Sequence, residues 1–87
     1  MGKRRYPPLK HREVIEILTA LHFNKVRQES THGQYERVAD GAKPRAIVTV
    51  DDYDDFDESL IKRLIAQSTF TREQFYGATK NTAKKLR

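Results

Sequence analysis

RQESTHGQYE, residues Arg27 to Glu36, is the stretch whose reading decides how this chain folds. It sets one histidine, His32, between the hydroxyl residue Thr31 and the glycine Gly33. Ser30 and Thr31 have turn character, and the residues after them alternate as a strand does. Working backward, Phe23 to Glu29 reads as a short strand with Val26 inward. Before it, Val14, Ile17, Leu18 and Leu21 recur at helical spacing, while Arg12, Glu13, Glu16 and Thr19 fall largely on the opposite side. That pattern predicts a one-faced helix from Leu9 to Leu21, halted by His22 and Asn24 and kept from starting earlier by Pro7 and Pro8.

Working forward, Gly33 to Ala39 is expected to be a second strand, and Asp40-Gly41 is a hairpin signal. After Pro44, Arg45 to Val50 (RAIVTV) is the strongest strand signal in the chain because it is rich in β-branched residues. The acidic run DDYDDFDE, Asp51 to Glu58, follows. Asp57 and Glu58 suit a helix start, where carboxylates meet unpaired N–H groups. Leu60, Ile61, Leu64 and Ile65 then predict a second one-faced helix ending near Ser68. Thr71 and Gln74 have the spacing of a capping box, with Phe75 and Tyr76 as apolar contacts. From Gly77 the tail is polar and basic, with Leu86 alone at its end, and reads as frayed or helical only on binding.

These elements imply an α+β fold in one small domain. The order is α-β-β-β-α with a further short helix, built as a three-stranded antiparallel sheet with helices packed on one face. Residues 1–8 form a basic arm, 9–76 the folded domain and 77–87 a basic tail. At 87 residues the chain has room for one core. It has no cysteine, which excludes disulfide staples and thiolate metal sites and fits a reducing cytosol. The opening MGKRRYPPLK lacks the apolar run of a signal peptide, and Tyr6 stands where a myristoylation signal has Ser or Thr. No segment approaches the roughly 20 apolar residues of a membrane span. A soluble, cytoplasmic protein without a membrane partner is expected.

The net charge of +5 and pI near 9.7 favour an anionic partner, of which nucleic acid is the commonest. The charge is unevenly spread. Lys3, Arg4, Arg5, Lys10 and Arg12 crowd the head, Lys80, Lys84, Lys85 and Arg87 the tail, and the acidic block lies between them. That block is explained by helix capping in a solvated loop, or by docking to a basic partner or to the chain's own tail. It lacks the glycine and terminal glutamate of a calcium loop. No histidine pair has metal-ligand spacing, and no Walker loop, dinucleotide fingerprint or nucleophile elbow is present. Neither a metal nor a cofactor is expected.

His32 admits two readings. As a turn residue it would hydrogen-bond a neighbouring backbone group. As a catalytic group its ordinary pKa near 6.5 suits it to take and return a proton, as RNA cleavage through an attacking 2′-OH requires. Strand parity bears on the choice. If Tyr35 faces the helices, Gly33 and Arg37 go with it, and His32, Gln34 and Glu36 face away. Ala46, Val48 and Val50 would face inward in the third strand, with Arg45, Ile47 and Thr49 outward. Lys25 and Arg27 would flank an inward Val26. One open face would then gather Lys25, Arg27, His32, Gln34, Arg45 and Thr49, with a solvated sheet face as the plainer reading of those cations. This parity turns Val38 outward, which a bulge after Gly33 or an edge position would accommodate.

The ordered sum of these features resembles a known family. The segment PLKHREVIEILTALHFNKVRQESTHGQY, followed by AIVTV and SLIKRLIAQSTFTREQF, is similar to the HicA-type toxins, small messenger-RNA interferases of toxin–antitoxin pairs. The likeness runs from about Leu9 to Phe75. Phe23, Arg27, Gln28 and His32 match in order, as do Leu60, Ile61, Leu64, Ile65 and Phe75. The resemblance implies a double-stranded-RNA-binding-like fold and a metal-independent endoribonuclease acting on mRNA. In that family the histidine at the position of His32 is catalytic, and a HicB-type antitoxin is the partner. Thr31 and Gly33 would shape the site, with Lys25, Arg27, Gln34 and Arg45 on the RNA. Three places depart from the family pattern. His22 stands where the family usually has glycine. Ser30 replaces the glycine of Gly-Ser-His. Asp51-Asp52-Tyr53 follows the third strand in place of a Pro-Arg-His-like segment. The alternative is a non-catalytic RNA-binding or adaptor module of the same fold.

Overall fold

The first helix, α1, runs from His11 to Ala20 and buries Val14, Ile17 and Leu18. These belong to the computed structural model, which describes residues 5–86. Lys3 and Arg4 of the basic head, and Arg87 of the tail, lie outside the described residues. The helix starts two residues later than its periodicity suggests. Leu9 and Lys10 instead form a short strand, β1, paired antiparallel with β5 (Asp55–Phe56), so that Leu9 sits opposite Phe56. The cause is burial. Both apolar side chains are about 1% exposed, and an extended Lys10 lets Leu9 drop into the core. The Lys10 N–H donates to Glu13 Oε1 at 2.8 Å and its ammonium lies 2.8 Å from Asp55. The acidic run is therefore only partly a solvated loop, because Phe56 anchors it.

The end of α1 is a backbone motif. Phe23 N–H reaches back to Leu18 O at 2.8 Å and His22 N–H to Thr19 O at 3.0 Å, the paired bonds of a Schellman turn. His22 takes the left-handed position, with φ 72°. The turn delivers buried Phe23 to the core and launches β2, Asn24–Glu29.

Strand β2 pairs with β3 (His32–Arg37), which pairs with β4 (Ala46–Asp51), giving the expected three-stranded antiparallel sheet in the order β2-β3-β4. Burial alternates cleanly along β4: Ala46, Val48 and Val50 are buried and Ile47, Thr49 and Asp51 are not. Gly33, Tyr35 and Arg37 share the covered face, as parity predicts, and Arg37 reaches inward to donate to Leu21 O at 3.0 Å. Val38 needs no bulge in β3, because the strand ends at Arg37 and Val38 lies beyond it, 69% exposed. Asp40 organises the connection to β4. Its carboxylate accepts from Ala42 N, Lys43 N and the Arg37 guanidinium.

The irregularity lies in β2. The register shifts between Lys25 and Arg27. Val26, expected inward, is 54% exposed. The bulge sends Lys25 and Arg27 to opposite faces, although residues two apart in a regular strand share one. It forms on an edge strand, where an unpaired residue disrupts the ladder on one side alone. At the opposite edge, the Thr49 N–H is taken up by the Gln67 side chain at 3.0 Å.

Helix α2 (Glu58–Ser68) starts at Asp57, which accepts from Leu60 N at 3.0 Å, and it buries Ile61 and Leu64. Helix α3 (Arg72–Tyr76) carries the expected capping box, with Thr71 Oγ1 and Gln74 Oε1 satisfying each other's backbone N–H. Its Phe75 and Tyr76 are fully buried. The tail differs from the expectation of a frayed segment. Helix α4 (Lys80–Ala83) and a 3-10 turn (Lys84–Leu86) fold back on the domain. Thr82 is buried and donates to Tyr76 O at 2.6 Å, and Leu86 packs on the core. The head is held too: Tyr76 donates to Pro7 O at 2.7 Å and Tyr6 lies against the core. No helix among the described residues is long and apolar enough to cross a membrane.

Candidate functional site

His32 opens β3, directly opposite Glu29 at the end of β2 and Asp51 at the end of β4. Directly paired residues share a face, so three ionisable side chains meet at one end of the uncovered sheet face. Imidazole Nε2 lies 3.9 Å from Glu29 Oε1, and Nδ1 lies 4.0 Å from Asp51 Oδ1. Both separations exceed hydrogen-bond length. The ring makes no hydrogen bond to any described residue, and the side chain is 35% exposed.

The turn does not rely on the imidazole. Gln28 Nε2 donates to Ser30 O at 3.3 Å and to His32 O at 3.1 Å, so an amide side chain braces the hairpin from within. Ser30 has φ 51° while Thr31 stays in the ordinary half of the map. A positive φ at the first residue of a two-residue hairpin loop favours glycine there. Thr31 O accepts from Asp52 N at 2.7 Å, which ties the turn to the end of β4. Thr31 therefore shapes the site through its backbone.

The expected ring of cations around the histidine is not what assembles. Arg27 does face the open side, opposite Gln34, but its Nε is 2.7 Å from Glu29. Arg45 is ion-paired with Glu36. Lys25 lies on the other face, moved there by the bulge. Across the open face, Arg27 and Arg45 are met by Glu29, Glu36 and Asp51. Both arginine pairs are exposed, and such pairs are worth about 0–1 kcal/mol, so a phosphate can compete for either guanidinium. The two carboxylates beside His32 are what sequence reasoning missed. Glu29 was readable as a strand end and Asp51 only as the start of the acidic run, one residue beyond the expected third strand; the register shows that they flank one ring.

A second feature lies behind the hairpin. On the helix-facing side, Lys25, Gln28, Gly33 and Tyr35 join His11, Thr31 and Asp52 around a pocket of about 200 Å³ that also touches His32. Gly33 is its floor. A Cβ there would stand 3.2 Å from Gln28 Oε1, 3.2 Å from Lys25 Cε and 3.3 Å from Tyr35 Cε1. Such a Cβ would have to push the Lys25, Gln28 and Tyr35 side chains aside by a few tenths of an ångström. Burial raises the Tyr35 hydroxyl pKa above its ordinary value. Among the described residues no group of three or more His, Asp or Glu side chains is placed to hold a metal ion.

Comparison of the chain with protein-family models, with curated proteins and with solved structures returns no match.

Proposed function

We propose that this chain is a HicA-like ribonuclease toxin with a double-stranded-RNA-binding-like fold, acting on mRNA in the cytoplasm with His32 as its acid/base group. The observation that carries the reading is the state of that imidazole. It stands on an uncovered sheet face, partly exposed, without a hydrogen bond to any described residue, with a carboxylate beside each ring nitrogen. A histidine that merely closed a turn would spend a ring nitrogen on the backbone, and here Gln28 has that role. A second observation supports the family likeness. His22 and Ser30, the two positions where the likeness expects glycine, both have a left-handed backbone.

In the reaction this reading implies, the imidazole removes the 2′-OH proton, the 2′ oxygen attacks the adjacent phosphorus and the P–O5′ bond breaks, leaving a 2′,3′-cyclic phosphate and a 5′ oxygen that takes a proton from water. Asp51, beside Nδ1, needs to close by about 1 Å to hold that N–H and leave Nε2 as the base. Arg27 and Arg45 would leave their glutamates for the phosphate as charge builds on its oxygens. A HicB-like antitoxin would neutralise the protein by covering this face.

The test is RNA integrity after induced expression, comparing wild type with His32→Ala. Loss of mRNA and growth arrest in wild type, both abolished in the variant while its circular dichroism stays unchanged, is the expected result. Equal toxicity of the alanine variant would remove His32 from catalysis. One observation favours the non-catalytic alternative: Glu29 and Asp51 repel phosphate at the place where it must sit. That alternative gives salt-dependent RNA binding with the RNA intact after prolonged incubation.

A further inference from the structure

We infer that the pocket behind the β2–β3 hairpin is a guanine-reading subsite for a single-stranded nucleic acid. The inference rests on the proposed RNA-directed function and names which base that function selects. Lys25 and Asp52 line the same small pocket, yet neither is ion-paired within 4.0 Å, with each other or with any described residue. Two opposite charges facing one cavity without touching invite a ligand that bridges them. A phosphate fits poorly, since Asp52 repels it. A flat heterocycle with donors along one edge and acceptors along the next fits well.

Guanine has the matching edge. Its N1–H and N2–H₂ lie side by side for the two oxygens of one carboxylate. Its O6 and N7 lie side by side for an ammonium. Adenine and cytosine offer a carboxylate only their amino group, and uracil only one ring N–H. The pocket volume of about 200 Å³ is below that of drug-sized sites and suits one base. Tyr35 and His11 give it aromatic walls, the usual surroundings of an unstacked base. Gly33, having no side chain, lets Lys25, Gln28 and Tyr35 close over the floor of the pocket. His32 also borders the pocket, although its imidazole is on the other face of the sheet, so a base seated here lies behind the hairpin that carries the imidazole.

The test uses DNA hexamers, which lack the 2′-OH and so separate reading from cutting. Oligothymidylate is compared with hexamers carrying one central G, A, C or inosine, with binding followed by fluorescence anisotropy. The G hexamer is expected to bind about tenfold tighter than oligothymidylate. Inosine, which lacks the N2 amino group, should lose most of that gain, and A and C should show none. Asp52→Asn and Lys25→Ala should each bring the hexamers within about twofold of one another. Equal binding of all hexamers by wild type, no binding of any, a preference for A or C, or a G preference that survives both Asp52→Asn and Lys25→Ala overturns the inference. RNA cleavage by wild type without the G preference removes the subsite and leaves the ribonuclease. The G preference without cleavage does the reverse.

Discussion

His22→Gly should stabilise this protein, and the expected size follows from the end of α1. His22 occupies the left-handed position of a Schellman turn at φ 72°, with its side chain exposed and in no hydrogen bond or ion pair among the described residues. A residue with a Cβ held there costs about 1–2 kcal/mol relative to its preferred conformations. Glycine removes that cost but carries more freedom in the unfolded chain, which returns about 0.5–1 kcal/mol. The net gain is centred on about 0.75 kcal/mol within a range of about 0–1.5 kcal/mol, a central rise in Tm of roughly 3–6 °C for a domain of this size. The difference in thermal unfolding midpoint between the variant and wild type measures it. Glu16→Gly, at an exposed position inside the same helix, is the control and should lose about 1 kcal/mol. The decisive result is the sign. If both glycines destabilise, the left-handed strain at His22 is absent in solution, and with it part of the support for the family likeness.

Ser30→Gly should likewise raise Tm by a few degrees, because Ser30 holds a positive φ in the hairpin loop without using its side chain. Phe56→Ala should lose about 3–5 kcal/mol by emptying the site against Leu9, read from urea unfolding midpoints; a loss under 1 kcal/mol would mean the β1–β5 pairing is not formed. Asp40 is held down to about 2 by N–H groups of Lys43 and Ala42 and by Arg37. Its contribution is therefore complete above its unfolded value near 3.8 and is lost as pH falls through about 2, and Asp40→Asn should flatten acid unfolding between those limits. Burial raises the Tyr76 hydroxyl pKa, so the unfolded chain ionises first and stability should decline as pH climbs past about 10. Tyr76→Phe should reduce that slope, Tyr35 supplying the remainder, and cost about 1–2 kcal/mol at neutral pH by leaving the Pro7 carbonyl without its donor.

Local chemistry made much of the framework readable. The helix faces of α1 and α2 follow from apolar spacing, the alternation in β4 from its β-branched run, and the starts of α2 and α3 from Asp57 and Thr71, because each depends on neighbours within a few residues. The β1–β5 pair was not readable. It joins Leu9 to Phe56 across the chain, and neither residue has strand-like neighbours. The helical tail was missed for a similar reason, since Thr82 and Leu86 are held by Tyr76 and the core rather than by their own periodicity.

At the site, the sequence by itself determined that His32 follows a tight turn and shares a face with Gln34 and Glu36, because period-two alternation is a property of the strand alone. Tertiary structure decided the company His32 keeps. Register brought Glu29 and Asp51 to its two ring nitrogens, and a one-residue bulge at Val26 carried Lys25 through the sheet to the pocket beside Asp52. Pairing between strands is a non-local choice set by which side chains the core accepts. A single extra residue in an edge strand reverses the face of every residue before it, and no count along the chain marks where that residue falls.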